Sequence, residues 1–286
     1  MHEIIEKLSG DRQQHIDRLV EWLRIPSIST DSRREGDVRR AGEWILEELA
    51  TSGFDARLDE TEGHPVCFAS WTGAAGAPTV LIYGHYDVQP PEPPELWRHG
   101  AFEPTIEGDD LIARGATDDK GQVLALVRGV CGVLKERGSL PVNIKFLIEG
   151  EEEIGSPNLA PYIKAHSDEL TADVAVISDC SQFAPGIPAI TVALKGLVYL
   201  EVFVQGPNRD LHSGSFGGSV ENPANALTRI LGSLRDEEGR ITIPGFYDDV
   251  RDLTAEERED FASLPFDEEG FRNDLEVPQV HGEAGW

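Results

Sequence analysis

Apolar residues recur at helical spacing in the opening part of the chain and then give way to short, strand-like runs. Ile16, Leu19, Val20 and Leu23 share one helical face that stops at Pro26, and Val38, Ala41, Ile45, Leu46 and Leu49 share a second that ends at Gly53. Strand-like runs follow at Val66 to Trp71, Thr79 to Tyr83, Leu111 to Ala113, Val142 to Ile148 and Asp173 to Ser178. Helical stretches separate the later ones, at Gly121 to Arg137 and Asn158 to His166. This alternation predicts an α/β fold with a helix-flanked, mostly parallel sheet.

Beyond Pro185 to Pro188 the pattern changes. An alternating run at Leu197 to Gln205 leads through a Gly-rich loop at Gly214 to Gly218 into a helix at Pro223 to Leu234, which predicts a second, α+β domain. The expected division is a first domain over 1–190 and a second over 191–286, within a length that suits two modest cores. Pro90-Pro91-Glu92-Pro93-Pro94 reads as a stiff extended loop, and no internal repeat is present.

Charge narrows the possible partners. With 52 acidic and 25 basic residues the formal net charge is −27, and only six of the basic residues are Lys. The longest basic clusters are the pairs Arg33-Arg34 and Arg39-Arg40, so neither nucleic acid nor an anionic membrane surface is an expected partner. An acid-rich, lysine-poor chain points to a halophilic cytosol, where a Debye length of about 3 Å at 1 M salt screens the carboxylates from one another; an ordinary acidic bacterial protein is the alternative. Cys67, Cys131 and Cys180 are odd in number and far apart, so they are expected to be buried thiols rather than disulfides or a CxxC site. The N-terminus shows no basic region followed by a long apolar stretch, and no run reaches membrane-spanning length, which places the expected protein in the cytoplasm.

Acidic and histidine-bearing stretches follow four of the strand-like runs, at the position where open α/β sheets bind ligands. In Gly84-His85-Tyr86-Asp87, His85 and Asp87 lie two apart, so an extended backbone sends both to the same side. His85 reads as a metal ligand and Asp87 as the carboxylate that orients its ring, although such a pair also occurs incidentally. In Gly115-Ala116-Thr117-Asp118-Asp119-Lys120-Gly121, Asp118 could bridge two cations at a turn into a helix; helix capping is the alternative for Asp118 and Asp119. Glu151-Glu152-Glu153 ends another strand between Gly150 and Gly155, and Asp179 directly follows the last; an exposed acidic loop is the alternative for the Glu run. His212-Ser213 is the only pair suggestive of a nucleophilic mechanism, and neither a GxSxG elbow nor a dinucleotide fingerprint is present.

Leu81-Ile82-Tyr83-Gly84-His85-Tyr86-Asp87-Val88-Gln89-Pro90 and Arg114-Gly115-Ala116-Thr117-Asp118-Asp119-Lys120-Gly121 resemble the two metal motifs of the M20 family of dinuclear metallopeptidases, in its carnosinase-like dipeptidase branch. Asp119 stands where Asn is common. The resemblance covers nearly the whole chain and implies a catalytic domain over 1–190 with a partial lid and dimerisation domain over 191–286. It implies two divalent metal ions, typically zinc with manganese or cobalt as alternatives. His85 and Asp179 would hold one, Glu153 the other, Asp118 would bridge them, and Glu152 would be the general base with Asp87 in support. Arg209-Asp210-Leu211-His212-Ser213-Gly214 resembles the lid motif whose His reaches across a homodimer to the oxyanion, a part His212 would play. The implied reaction is amide hydrolysis in dipeptides or short peptides; the alternatives are an N-acyl amino acid deacylase or an inactive remnant that only binds metal or dimerises.

The same resemblance implies a longer chain. Family members return from the lid to the catalytic domain to deliver a last His ligand, whereas this sequence ends at Trp286 within the expected lid, and His281 matches lid sequence rather than that ligand. It therefore reads as a truncated product, a fragment or an incomplete record, with one metal position short of an imidazole.

Overall fold

The structure, a computed structural model, describes residues 2–184, 186–191 and 194–282; Pro185 and Trp286, named above, lie outside them. The chain divides into two compact units, Met1–Ile190 and Thr191–Trp286.

In the first unit, helices α1 (His2–Gly10), α2 (Arg12–Leu23) and α3 (Glu35–Thr51) precede the central sheet. The strands are β1 (Asp55–Asp59), β2 (Val66–Trp71), β3 (Thr79–His85), β6 (Asn143–Glu149) and β7 (Val174–Ile177), with a separate hairpin of β4 (Thr105–Glu107) and β5 (Asp110–Ile112). The sheet runs β1-β2-β6-β3-β7; β6, β3 and β7 are parallel, and β2 and β1 form an antiparallel edge. Helix α4 (Lys120–Arg137) lies between β5 and β6, and α5 (Leu159–Ala165) and α6 (Ser167–Leu170) lie between β6 and β7. A helix-flanked α/β fold is thus present.

Alternation along β6 explains the layering. Ile144, Phe146 and Ile148 turn to a core built with Val38, Ala41, Ile45 and Leu49 of α3 and Val123, Val127 and Cys131 of α4. Leu147 faces the other way, against Phe68, Tyr162 and Leu170. Each large side chain buried in this way stabilises the unit by roughly 1.5–3 kcal/mol relative to exposure. The parallel strands β3, β6 and β7 all point their C-terminal ends to the same edge, which brings His85, the Glu151 to Glu153 run and Asp179 together.

Three expectations are corrected here. The run at Leu111 to Ala113 belongs to the β4–β5 hairpin rather than to the central sheet, so Asp118 reaches the site from a loop ahead of α4. Leu197 to Gln205 forms no strand: Leu197 is 90% and Tyr199 93% exposed, and no strand among the described residues pairs with it, without which an extended segment gains no ladder. Cys67 and Cys131 are buried, but Cys180 is exposed because the chain has already left β7.

The second unit contains four helices among its described residues: α7 (Ser213–Phe216), α8 (Pro223–Gly232), α9 (Ala255–Ala262) and α10 (Glu268–Asp274). Asn222 caps α8 with Pro223 at its first turn, and Thr254 and Glu257 form a reciprocal capping box on α9.

Candidate metal centre

His85 is the last residue of β3 and is wholly buried. Two close approaches let it sit there. A Cβ on Gly84 would fall 2.3 Å from Val123 Cγ2, and one on Gly150 2.5 Å from the Tyr86 ring, so both glycines admit neighbours that any side chain would displace. The backbone N–H of His85 donates to Asp119 Oδ2 at 3.2 Å. Asp119 stands at the N-cap of α4 but makes no side-chain cap; its buried carboxylate serves β3 instead, which corrects the capping alternative.

Around the imidazole, Nδ1 lies 3.1 Å from the Asp87 carbonyl oxygen and 3.3 Å from Asp87 Oδ1. On the other side, Nε2 faces Asp118 Oδ1 at 3.1 Å, Asp179 Oδ2 at 3.8 Å and Glu152 Oε2 at 4.0 Å. Asp87 is itself fully buried and accepts the backbone N–H of Glu152 at 3.2 Å and of Glu153 at 3.1 Å. One carboxylate therefore orients the ring and pins the turn that bears both glutamates. Glu153 is turned to Gln89, whose Nε2 donates to Oε2 at 2.6 Å. Glu151 is buried and held by His64 N and Asn158 Nδ2, so the acidic run is only in part a solvated loop.

The electrostatics of this cluster are unbalanced. Burial would pull the His85 pKa down, but the hydrogen bond and charge of Asp87, with the charges of Asp119 and Glu152, outweigh it and push it up to about 10. Burial, reinforced by the charges of Asp179 and Asp118, pushes Asp119 up to about 7. Glu152 is raised by burial and by the charges of Glu153, Asp179 and Asp87, and Glu153 by burial and the charge of Asp118. With Nδ1–H held by Asp87, a neutral ring would aim the Nε2 lone pair at three carboxylates. Either a proton or a cation must occupy that space.

A divalent cation fits it. Metal–ligand bonds of about 2.0–2.1 Å in a tetrahedron separate ligand atoms by about 3.3 Å, close to the 3.1–4.0 Å observed around Nε2. Ligand atoms of His85, Glu152 and Asp179 all lie within 4.8 Å of one another. The imidazole and hard carboxylates suit zinc or manganese better than a thiolate-preferring ion. Of the seven residues singled out from the sequence, His85, Asp87, Asp118, Glu152 and Asp179 converge here; Glu153 is on the same turn but directed to Gln89. His212 belongs to the other unit, where it is exposed and its Nδ1 accepts the Gly214 N–H at 3.0 Å at the start of α7.

Sequence reasoning passed over four supporting residues. Gln89 follows His85 by four positions and holds Glu153. Glu149, at the end of β6, accepts from Tyr83 at 2.6 Å and Ser156 at 2.8 Å. Lys120 is wholly buried, and burial pulls its pKa down to about 7; Ser27 is wholly buried as well. Neighbouring loops bring these groups together; Gln89 and Lys120 lay inside the recognised motifs, but nothing in the motifs showed what their side chains hold.

The chain belongs to Peptidase family M20/M25/M40, which residues 81–280 match. Among its relatives are a Cys-Gly metallodipeptidase of Candida albicans, 32% identical over 93% of this chain and 58% of that protein, and the Beta-Ala-His dipeptidase of Homo sapiens, 40% identical over 74% of this chain and 42% of that protein. Similar solved structures are an M20 family metallo-carboxypeptidase from Sulfolobus solfataricus (TM-score 0.73, 34% identity, 94% of this chain and 60% of that one) and human carnosine dipeptidase 1 (TM-score 0.74, 28% identity, 98% and 62%). The chain thus spans 58% of the length of the Candida relative. No helix among the described residues is long and apolar enough to cross a membrane.

Proposed function

We propose that this chain carries the site of a metal-dependent hydrolase that cleaves the amide bond of dipeptides or short peptides. The observation that carries it is the single imidazole nitrogen, Nε2 of His85, facing carboxylate oxygens of Asp118, Asp179 and Glu152 within 4.0 Å, in a member of this peptidase family. His85, Asp179 and Asp118 would hold one cation; Glu153 and the shared Asp118 would hold a second. Zinc is the first choice, with manganese or cobalt as substitutes. Bound cations would supply Lewis acidity toward water and the scissile carbonyl.

The chain's own residues supply the remainder. Asp87 keeps Nδ1 protonated and the Nε2 lone pair directed into the site. Glu152 is raised above the ordinary carboxylate range by burial and neighbouring charge, which suits it to take a proton from water and to return it to the leaving amine. Gln89 restrains Glu153. His212 as an oxyanion donor, a homodimer through 191–286 and a cytoplasmic setting belong to the same proposal, and the lid-like sequence around His212 supports the first two.

The test is an assay of the chain loaded with zinc or manganese against Cys-Gly, β-Ala-His and N-acetyl amino acids, beside Glu152→Gln. Dipeptide turnover that Glu152→Gln abolishes while retaining metal supports the proposal. Turnover of the N-acyl substrates alone would assign a deacylase, and turnover unaffected by Glu152→Gln would remove Glu152 from its role as base.

A further inference from the structure

Lys120 is fully buried, yet its place in the fold makes it neither a ligand nor a base. Its Nζ donates to the carbonyl of Trp22 at 3.2 Å and of Ile25 at 2.9 Å, and lies 5.7 Å over the Trp22 ring. Both carbonyls already have backbone partners, Ile25 N at 3.1 Å and Ser27 N at 2.9 Å, so satisfying them does not by itself explain a buried Lys. An apolar side chain of the same length would avoid the several kcal/mol that burying an ammonium costs.

The segment that Lys120 grips continues to Ser27, also fully buried. Ser27 Oγ donates to the Tyr86 carbonyl at 2.7 Å, and the Ser27 carbonyl accepts Val88 N–H at 2.9 Å. Ile28 pairs in parallel with Val88. Tyr86 and Val88 are the two neighbours of Asp87. Segment 22–28 is therefore tied at one end to the turn that carries Asp118 and at the other to both sides of the residue that orients His85.

We propose that segment 22–28 is a brace that fixes the spacing between the loop bearing His85 and Asp87 and the loop bearing Asp118, with Lys120 and Ser27 as its positioning residues. The brace acts beside the shorter tie from His85 N to Asp119 Oδ2. Metal ligands tolerate displacements of only about 0.5 Å, so slack between the loops is read out as affinity. The inference rests on the metal-site reading above.

The experiment measures zinc affinity of the metal-free chain by competition with a chromophoric chelator, beside thermal midpoints, for the unmodified chain, Ser27→Ala, Lys120→Met, the double variant and Tyr162→Phe. Tyr162→Phe removes a hydrogen bond to Asp59 on the opposite face of the sheet and serves as a control for destabilisation alone. Outer residues that orient metal ligands are each worth about 10–100-fold in affinity. Lys120→Met is expected in that range, Ser27→Ala at about 10-fold, and the double variant no weaker than Lys120→Met alone, because the two act in series. Tyr162→Phe should keep the unmodified affinity. Unchanged affinity in folded Ser27→Ala overturns the brace even if Lys120→Met fails to fold, as does an equal loss in Tyr162→Phe. No zinc binding by the unmodified chain would instead overturn the metal-site reading, and the brace with it.

Discussion

Replacing Asp87 by Asn removes one charge and little volume, and the structure gives the consequence in two quantities. The carboxylate is fully buried and accepts from three directions: His85 Nδ1 at 3.3 Å, Glu152 N at 3.2 Å and Glu153 N at 3.1 Å. Glu152 N meets Oδ1 and Glu153 N meets Oδ2, so an amide that keeps one oxygen must turn its NH₂ toward the other backbone N–H. One buried donor is then orphaned, at a cost of roughly 1–3 kcal/mol. For a unit of this size each kcal/mol lowers the thermal midpoint by about 2–4 °C. The ring loses its anionic partner at the same time, and such losses weaken metal binding about 10–100-fold, equivalent to roughly 1.4–2.7 kcal/mol. Scanning calorimetry of the metal-free chain reads the first quantity and chelator competition the second. A folded Asp87→Asn chain with unchanged midpoint and unchanged zinc affinity would refute the assignment of Asp87 as the residue that holds the ring and the glutamate turn together.

Other consequences follow from charge and burial. With a formal net charge of −27, the thermal midpoint should climb as KCl rises from about 0.1 M, where the Debye length is about 10 Å, to about 2 M; a flat or falling midpoint contradicts the halophile reading. Burial pushes the Cys67 thiol up to about 12 and raises Cys131 as well, while Cys180 is exposed, so at about pH 8 a thiol reagent should modify Cys180 alone in the native chain. Since the thiolate is the reactive form, raising the pH should bring Cys67 into reaction only after unfolding; rapid native modification of two or more thiols would contradict this burial.

The helices α3 and α4 and strands β3 and β6 were legible because each buries a regular face: Val38, Ala41, Ile45 and Leu49 at helical spacing, Ile144, Phe146 and Ile148 at alternation; β7 was legible from its apolar run alone, since Val174 and Ile177 are exposed. β1 was not, since Asp-Ala-Arg-Leu-Asp is a half-exposed edge strand with no apolar run. The Leu197 to Gln205 stretch shows the converse, a strand-like pattern without a pairing partner among the described residues. At the site, the sequence marked His85, Asp118, Glu152 and Asp179 because residues that end parallel strands or precede a helix converge. It did not mark Asp119 as the acceptor for His85 N–H, nor Gln89, Ser27 or Lys120 as supports, because those roles depend on which loop packs on which. Three adjacent glutamates also look alike in sequence, yet Glu151 is buried, Glu152 faces the ring and Glu153 turns to Gln89.

The central claim is that His85 supplies the one imidazole of a carboxylate-rich metal site. Zinc X-ray absorption on the chain loaded with one equivalent tests it most directly, run beside a titration that counts the sites. One tightly bound zinc is expected, with a single imidazole nitrogen and otherwise oxygen ligands at about 2.0–2.2 Å. The second zinc should be weak, because Glu153 and a shared Asp118 offer it only carboxylates. A sulfur ligand from Cys180, two or more imidazoles at the first zinc, or tight binding that survives His85→Ala would contradict the account.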